Sequence, residues 1–204
     1  MQTIFSADHF WALATFAFVI TITPGPNNIM LTASGLSFGF VRTIPHIFGI
    51  AFGVALMHIG IGLGLGVLFT SFAIVQYALR FLGSLYLLFL AYKMLSFVPS
   101  SKNPDSAQGQ PFTLLQAAAF QMVNPKAWVL VISANASFSL SGSHYWPSIA
   151  LIVITFMVIG LPSIMTWAAF GHGIRNWLDD ERALKWFNRI LSAATALCVV
   201  FIWI

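Results

Sequence analysis

Residues 21–30 read TITPGPNNIM and interrupt a long hydrophobic run. The residues before them, FWALATFAFVI at 10–20, are apolar, and so are most of the residues after them, MLTASG at 30–35. Pro24 and Pro26 each remove a backbone donor and leave a carbonyl one turn earlier without its helical partner. The stretch therefore predicts a membrane helix that is broken in its middle.

The composition places the chain in lipid. Of 204 residues, 59% are hydrophobic and only 7% are charged, whereas a soluble domain has about 25% charged residues. The net charge of +4 is small and the basic residues form no patch, so nucleic acid is not an expected partner. The single cysteine, Cys198, excludes an internal disulfide and a thiolate cluster.

A spanning helix needs about 20 mostly apolar residues. The segment that begins at residue 9 has no basic residue before it and no small-residue cleavage site after it, so we expect it to be retained as a membrane helix. A polar stretch at 99–111 predicts a flexible loop. Six segments qualify as spans: 9–35 (interrupted), 46–70, 74–97, 113–138, 147–170 and 183–204.

Basic residues predict the orientation. They gather in the first, third and fifth connections, which we therefore expect in the cytoplasm, with both termini outside. These residues are Arg42, Lys93, Lys102, Arg175, Arg182 and Lys185.

The two halves of the chain resemble each other. Pro24 in the first helix has a counterpart in Pro125 of the fourth, and ALRFLG at 78–83 has a counterpart in ALKWFN at 183–188. A three-helix unit must insert the opposite way the second time, which is the inverted-repeat arrangement of many secondary transporters. We predict an all-α integral membrane protein with six transmembrane helices in two inverted three-helix repeats, helices one and four being broken at prolines. Its single transmembrane domain, 1–204, comprises repeat one at about 1–98, a cytoplasmic loop at about 99–112 and repeat two at about 113–204.

Amide side chains accompany both breaks. Asn27 and Asn28 follow the first break, and Gln121 and Asn124 precede the second. Broken backbone at membrane depth is tolerated where it is packed in protein or lines a wet cavity. Each break also creates a half-helix N-terminus that favours a carboxylate. One proline kink alone would indicate little, but a paired interruption is typical of a transport site.

Two further polar residues lie inside hydrophobic segments. Lys126 is about 13 residues into the fourth segment, where a lysine costs about 2.5–3.5 kcal/mol on insertion scales. It either snorkels to the interface or faces a cavity, and its depth favours the cavity. His58 is either a neutral, hydrogen-bonded core residue or a proton carrier, since an ordinary histidine titrates near neutrality.

The acidic residues lie at helix ends or in loops. None is placed to pair with a cationic side chain in mid-membrane, so a dibasic solute is disfavoured and a zwitterion suits better. We see no metal-site spacing among histidines, cysteines and acids, and we expect no cofactor. The acids are Asp8, Asp105, Asp179, Asp180 and Glu181.

The second segment is rich in glycine. Gly49 with Gly53, and Gly60 with Gly64, have the small-xxx-small spacing that brings helices close together. This spacing favours tight packing, either within the bundle or in a homodimer.

TPGPN at 23–27 and NPK at 124–126 resemble the motifs of the LysE/RhtB family of bacterial amino-acid exporters, and the resemblance covers essentially the whole chain. It implies export of amino acids across the bacterial inner membrane by proton exchange, and the branch for neutral amino acids is more similar than the basic one. The chain departs from the pattern after NPK, where AWVLVISANASF replaces a Phe-rich run. The motif residues that the resemblance marks as the site are Pro24, Gly25, Pro26, Asn27, Asn124, Pro125 and Lys126.

Together these features predict a multi-pass secondary transporter that exports small neutral amino acids or close derivatives by proton antiport. The predicted substrate site comprises the motif residues with Asn28 and Gln121, and His58 is the candidate for proton coupling. A passive channel, an intramembrane enzyme and a non-transporting scaffold are the alternatives. The sequence contains no nucleophile with a positioned base and no carboxylate pair, which argues against the enzyme.

Overall fold

A computed structural model describes residues 6–66, 71–96, 110–177 and 181–203, and this part of the chain is helical, with no strand. Its first helices are α1 (Ala7–Ile22), α2 (Pro26–Phe38), α3 (Phe40–Gly60) and α4 (Ala73–Ser96). They are followed by α5 (Leu114–Val123), α6 (Pro125–Phe138), α7 (Tyr145–Thr155), α8 (Leu161–Trp177) and α9 (Glu181–Trp203). Most of the predicted loop at 99–112 lies outside the described residues.

Within the described residues, four helical stretches are long and apolar enough to cross a membrane, as judged by length and composition. Helices α1 and α5 are apolar but shorter, and each is one part of a broken helix. The six crossings and the inverted repeats stay predictions. The four stretches are Phe40–Leu65, Ala73–Leu95, Gly142–Arg175 and Arg182–Val200.

Both breaks occur at the predicted prolines. Helix α1 ends at Ile22 and α2 begins at Pro26, while α5 ends at Val123 and α6 begins at Pro125. In each case proline occupies the first turn of the new helix, where the missing N–H has no intrahelical partner anyway. Proline thus ends one helix and starts the next.

Two helical stretches extend beyond their predicted bounds. Helix α3 begins at Phe40 rather than at residue 46, because Pro45 lies early in the helix and removes only one of its hydrogen bonds. Helices α7 and α8 are joined through a π-helical turn, Phe156–Gly160, just before Pro162. A π turn rearranges the hydrogen-bond ladder and so accommodates a proline that would break a regular helix.

Glycines bring helices α2 and α8 into backbone contact. A Cβ on Gly35 of α2 would lie 2.1 Å from the carbonyl oxygen of Ala168, and one on Gly171 of α8 would lie 2.0 Å from that of Thr32. Small residues allow this close approach in membrane bundles. Helices α2 and α8 are therefore packed at their backbones.

Two glycines of α3 pack against another helix of the same chain. A Cβ on Gly49 would lie 2.4 Å from the carbonyl oxygen of Leu114, and one on Gly53 would lie 2.8 Å from that of Ala118. This pair therefore packs α3 against α5, which accounts for its spacing without a second copy. The homodimer stays a prediction.

Apolar side chains fill the interior and also cover much of the outside. Leu13, Val131 and Ile152 are fully buried in one core cluster, whereas Leu115 and Ile74 are about three-quarters exposed, at 75% and 74%. Water would not tolerate so many large apolar side chains on a surface, but lipid tails do. The outer surface is thus consistent with a membrane protein.

Candidate functional site

The two helix breaks lie against each other. The Lys126 ammonium, just past the second break, donates to the carbonyl oxygens of Thr23 and Pro24 at the first, at 2.5 and 3.3 Å. The side-chain amides of Asn27 and Gln121 exchange two hydrogen bonds of 2.8 and 3.1 Å. Two polar bridges therefore join motifs that are about a hundred residues apart in the sequence.

Side chains satisfy the carbonyls that the first break leaves without helical partners. The Asn28 amide donates to the carbonyl oxygens of Thr21 and Thr23 at 2.9 and 3.0 Å. The Trp167 indole donates to the carbonyl oxygen of Ile22 at 3.2 Å. This accounts for the asparagine after the break, because an unpaired carbonyl at membrane depth costs several kcal/mol.

At the second break, a residue of the break itself caps the new helix. The Asn124 side-chain oxygen accepts from the backbone N–H of Lys126 at 3.2 Å and so caps α6. Its amide donates to the Gln121 side-chain oxygen at 3.3 Å. Gln121 is fully buried and also donates to the carbonyl oxygen of Ala117 at 2.9 Å.

Helix α2, by contrast, begins without a side-chain cap. Its N-cap residue is Gly25, whose extended backbone offers no side-chain acceptor to the first N–H groups of the helix. Because Pro26 has no N–H, the first backbone N–H groups of the helix are those of Asn27 and Asn28. Of the two helices that begin at the breaks, α2 and α6, it is therefore α2 whose N-terminal N–H groups can bind an anion.

Gly25 also makes room for Lys126. A Cβ at Gly25 would lie 2.8 Å from the Lys126 Cδ atom and 3.1 Å from Nζ. The lysine side chain passes over the glycine on its way to the first break. The glycine of the TPGPN motif thus accommodates this close approach, and it does not serve a left-handed backbone, since its φ is −176°.

All predicted substrate-site residues except the fully buried Gln121 border one of two hollows, and Lys126 borders both. A central hollow of about 50 Å³ is lined by Asn27, Asn28, Asn124 and Lys126. This space holds a few water molecules, which is too little for an amino acid. A larger hollow of about 640 Å³ lies on the side of α4 and α9. Pro24, Gly25, Pro26, Pro125 and Lys126 line it, together with Gln76, Arg80 and Cys198.

His58 lies outside these hollows. Its Nδ1 is 2.6 Å from the Asn135 side-chain oxygen, and the Asn135 amide donates to the His58 carbonyl oxygen at 2.9 Å. Because the Asn135 oxygen is an acceptor, Nδ1 carries the proton and Nε2 is an acceptor. This Nε2 is buried without a hydrogen-bond partner among the described residues. The ring packs against Phe156, at 4.8 Å between centroids, and Phe156 lines the central hollow.

Sequence reasoning missed three residues of this region. Asn135 could have been found, since an amide inside an apolar helix is unusual and calls for a partner. Nothing in the sequence distinguished Trp167 from the other tryptophans. Thr21 borders the central hollow but donates to the carbonyl oxygen of Ala17 in its own helix, a common pattern for threonine.

The sequence of the chain is similar to those of known efflux proteins. The chain is 27% identical over 195 residues to the cysteine/O-acetylserine efflux proteins of Escherichia coli (strain K12), Shigella flexneri and Shigella sonnei (strain Ss046). Each alignment covers 94% of this chain and 92% of the relative. No solved structure matches. The family model of the LysE type translocators matches residues 18–203. The chain therefore belongs to the LysE type translocator family, whose members are multi-pass membrane proteins.

Proposed function

We propose that the chain is a secondary transporter of the inner membrane that exports small neutral amino acids or close derivatives in exchange for protons. Family membership and the efflux relatives support an amino-acid exporter rather than an enzyme. The observation that carries the proposal is the Lys126 ammonium, which bridges the two helix breaks and borders both hollows. The relatives' name makes cysteine and O-acetylserine the first solutes to test.

The solute carboxylate would bind at Lys126 and the N-terminus of α2. An ammonium has three donors, and Lys126 directs two of them to the carbonyl oxygens of Thr23 and Pro24. A carboxylate is a stronger acceptor than a carbonyl, because a charge-assisted hydrogen bond is roughly twice as strong as a neutral one. The ammonium would therefore exchange carbonyl partners for the solute, with the uncapped N–H groups of α2 as further donors.

The rest of the solute would meet no acidic side chain among the described lining residues. When Lys126 turns to a carboxylate, the carbonyl oxygens of Thr23 and Pro24 become acceptors for the solute ammonium. No aspartate or glutamate is among the described residues that line either hollow. A second positive charge on the solute would lack a counter-ion there, which favours a neutral side chain.

Transport requires the helices around the breaks to move. The central hollow of about 50 Å³ does not admit an amino acid, and the glycine contacts close α2 on α8 and α3 on α5. We infer alternating access between two inverted three-helix halves around the paired breaks.

His58 is the proposed proton carrier. Its Nε2 is a buried acceptor without a partner among the described residues, because Asn135 engages the other ring nitrogen, Nδ1. Contact with Phe156 couples the ring to the wall of the central hollow. Protonation would thus change the hydrogen bonding at one wall of the moving region.

Efflux from loaded cells tests the function. Cells that express the chain are loaded with dipeptides of serine, cysteine, alanine or lysine, and the amino acids that leave are measured over time. We expect neutral amino acids to leave several-fold faster than from cells with an empty vector, with lysine unchanged. O-Acetyl-L-serine is tested in the same way after direct loading.

The same assay separates the alternatives. A protonophore added after loading should stop efflux against a gradient, whereas efflux that continues at the full rate down the gradient would indicate a channel. If no solute leaves faster than from control cells, the exporter proposal is wrong and a non-transporting scaffold is the remaining interpretation. Turnover of a lipid by the purified protein would support the enzyme.

The predicted topology has its own test. A cysteine is appended to either end of a Cys198→Ser chain, and intact cells are treated with a membrane-impermeant maleimide. We expect both tags to react from the outside, because the basic residues gather in the odd-numbered connections. A tag that reacts only after lysis would overturn the orientation.

A further inference from the structure

A third cavity lies apart from the helix breaks. It encloses about 310 Å³ between α2, α3, α4 and α9, and it shares no lining residue with the two hollows at the breaks. We call it the entrance cavity. Its volume falls within the range of ligand pockets, about 300–1,000 Å³. The polar residues Ser34, Ser37, His46, Lys93, Gln110 and Asn188 line it together with Phe112.

His46 is the most unusual residue of the entrance cavity. It is 1% exposed, and neither ring nitrogen has a hydrogen-bond partner among the described residues. Its ring packs edge-on against Phe112, at 5.0 Å between centroids. A buried imidazole with no partner is unfavourable, and polar groups in that state usually serve a ligand or hold a water molecule. A bound solute would supply both a donor and an acceptor.

The charge of the entrance cavity favours a carboxylate. Lys93 lines it and is the one lysine or arginine among its described lining residues. No aspartate or glutamate is among the described lining residues. Met30, Leu90 and Met94 supply apolar walls for a small uncharged side chain. The lining thus matches the solute class proposed for the breaks.

Its position matches the side from which an exporter takes its solute. Met30, Ala33, Ser34 and Ser37 form one face of α2, at the spacing of a helical stripe, and this face borders the entrance cavity. The N-terminus of the same helix borders the breaks. Lys93 lies close to the third connection, which the basic residues predict to be cytoplasmic. One half-helix therefore separates the entrance cavity from the breaks.

We propose that the entrance cavity is a second binding site for the exported solute, where it is captured from the cytoplasm before it reaches the breaks. Lys93 holds the solute carboxylate, and His46 hydrogen-bonds its polar groups. This inference rests on the proposed function, because it names a further site for the same solute.

Uptake into inside-out membrane vesicles tests the capture step. With radiolabelled O-acetyl-L-serine as the probe, we expect His46→Leu and Lys93→Gln each to raise the half-saturating concentration about tenfold, since each loses one or two hydrogen bonds to the solute. The maximal rate should stay within about twofold, because the site at the breaks is intact. His144→Leu, a histidine outside all three cavities, serves as the control. Unchanged half-saturation in both variants would overturn the proposal.

Protection of a cysteine measures binding without transport. In a Cys198→Ser background, Ser37→Cys is treated with a small thiol reagent from the cytoplasmic side, with and without O-acetyl-L-serine. We expect the solute to slow the reaction several-fold, and to do so also in a Lys126→Met chain. A cysteine that does not react, or reacts equally fast with solute present, would overturn the entrance site. Absence of solute uptake by the unmodified protein would instead count against the proposed function.

Discussion

The Lys126→Met variant is expected to insert normally and to lose transport by about 100-fold or more. Lys126 is the cation that bridges the breaks and borders both hollows. Truncating one partner of a buried charge pair costs about 2–5 kcal/mol, and 2.8 kcal/mol is about 100-fold. Methionine keeps most of the length of the side chain but cannot bind a carboxylate.

The fold should tolerate this substitution. The carbonyl oxygen of Thr23 keeps the hydrogen bond from Asn28 when the lysine is removed. The asparagine cap of α6 uses the backbone N–H of residue 126, which methionine retains. The variant therefore separates loss of function from loss of structure.

Efflux and membrane content of the variant are measured on the same cells. Lys185→Met makes the same chemical change at a lysine that lines none of the three cavities, and we expect it to export normally. Normal export by Lys126→Met would remove this residue from the site. Loss of the protein from the membrane would mean that the lysine acts in folding.

The Gly171→Ala variant is expected to lower the melting temperature in detergent by roughly 6–12 °C. An added Cβ would lie 2.0 Å from the carbonyl oxygen of Thr32, a backbone atom that can move only if α2 and α8 separate. Overpacking of this kind costs about 3 kcal/mol, the upper part of the usual range, and each kcal/mol shifts the midpoint by roughly 2–4 °C in a chain of this size.

Gly173→Ala, two residues further along the same helix, is the matched control. A Cβ there would meet nothing within 4 Å, and alanine favours a helix over glycine by up to about 1 kcal/mol. We expect the control to melt at the same temperature as the parent or slightly above it. Equal melting of the two variants would refute the close packing of α2 on α8.

Much of the helical framework follows from local sequence. Hydrophobic runs of about 20 residues and prolines act within a few residues of themselves, so the breaks at Pro26 and Pro125 could be located without a structure. The lysine and the amides beside the breaks could be named for the same reason. The start of α3 could not, because a proline early in a helix reads like a boundary.

The partners of those residues depend on contacts between distant segments. The sequence contains Trp167, Asn135 and His46, but it does not say that the indole donates to Ile22, that the amide holds His58, or that the imidazole is left without a partner. Each depends on how helices far apart in the chain cross. The direction in which a glycine pair faces is equally undetermined, and only the fold turns Gly49 and Gly53 toward α5.

By itself, then, the sequence determined three features: that the chain belongs in lipid, where most of its helices lie in the sequence, and at which prolines two of them are broken. Those features depend on the length of apolar runs and on the proline ring, both of which act locally. The tertiary structure alone decided that the two helix breaks meet, that Lys126 bridges them, and that a separate cavity opens beside His46. These depend on helix packing, since a hydrogen bond across about a hundred residues exists only once the helices that carry its ends are in contact.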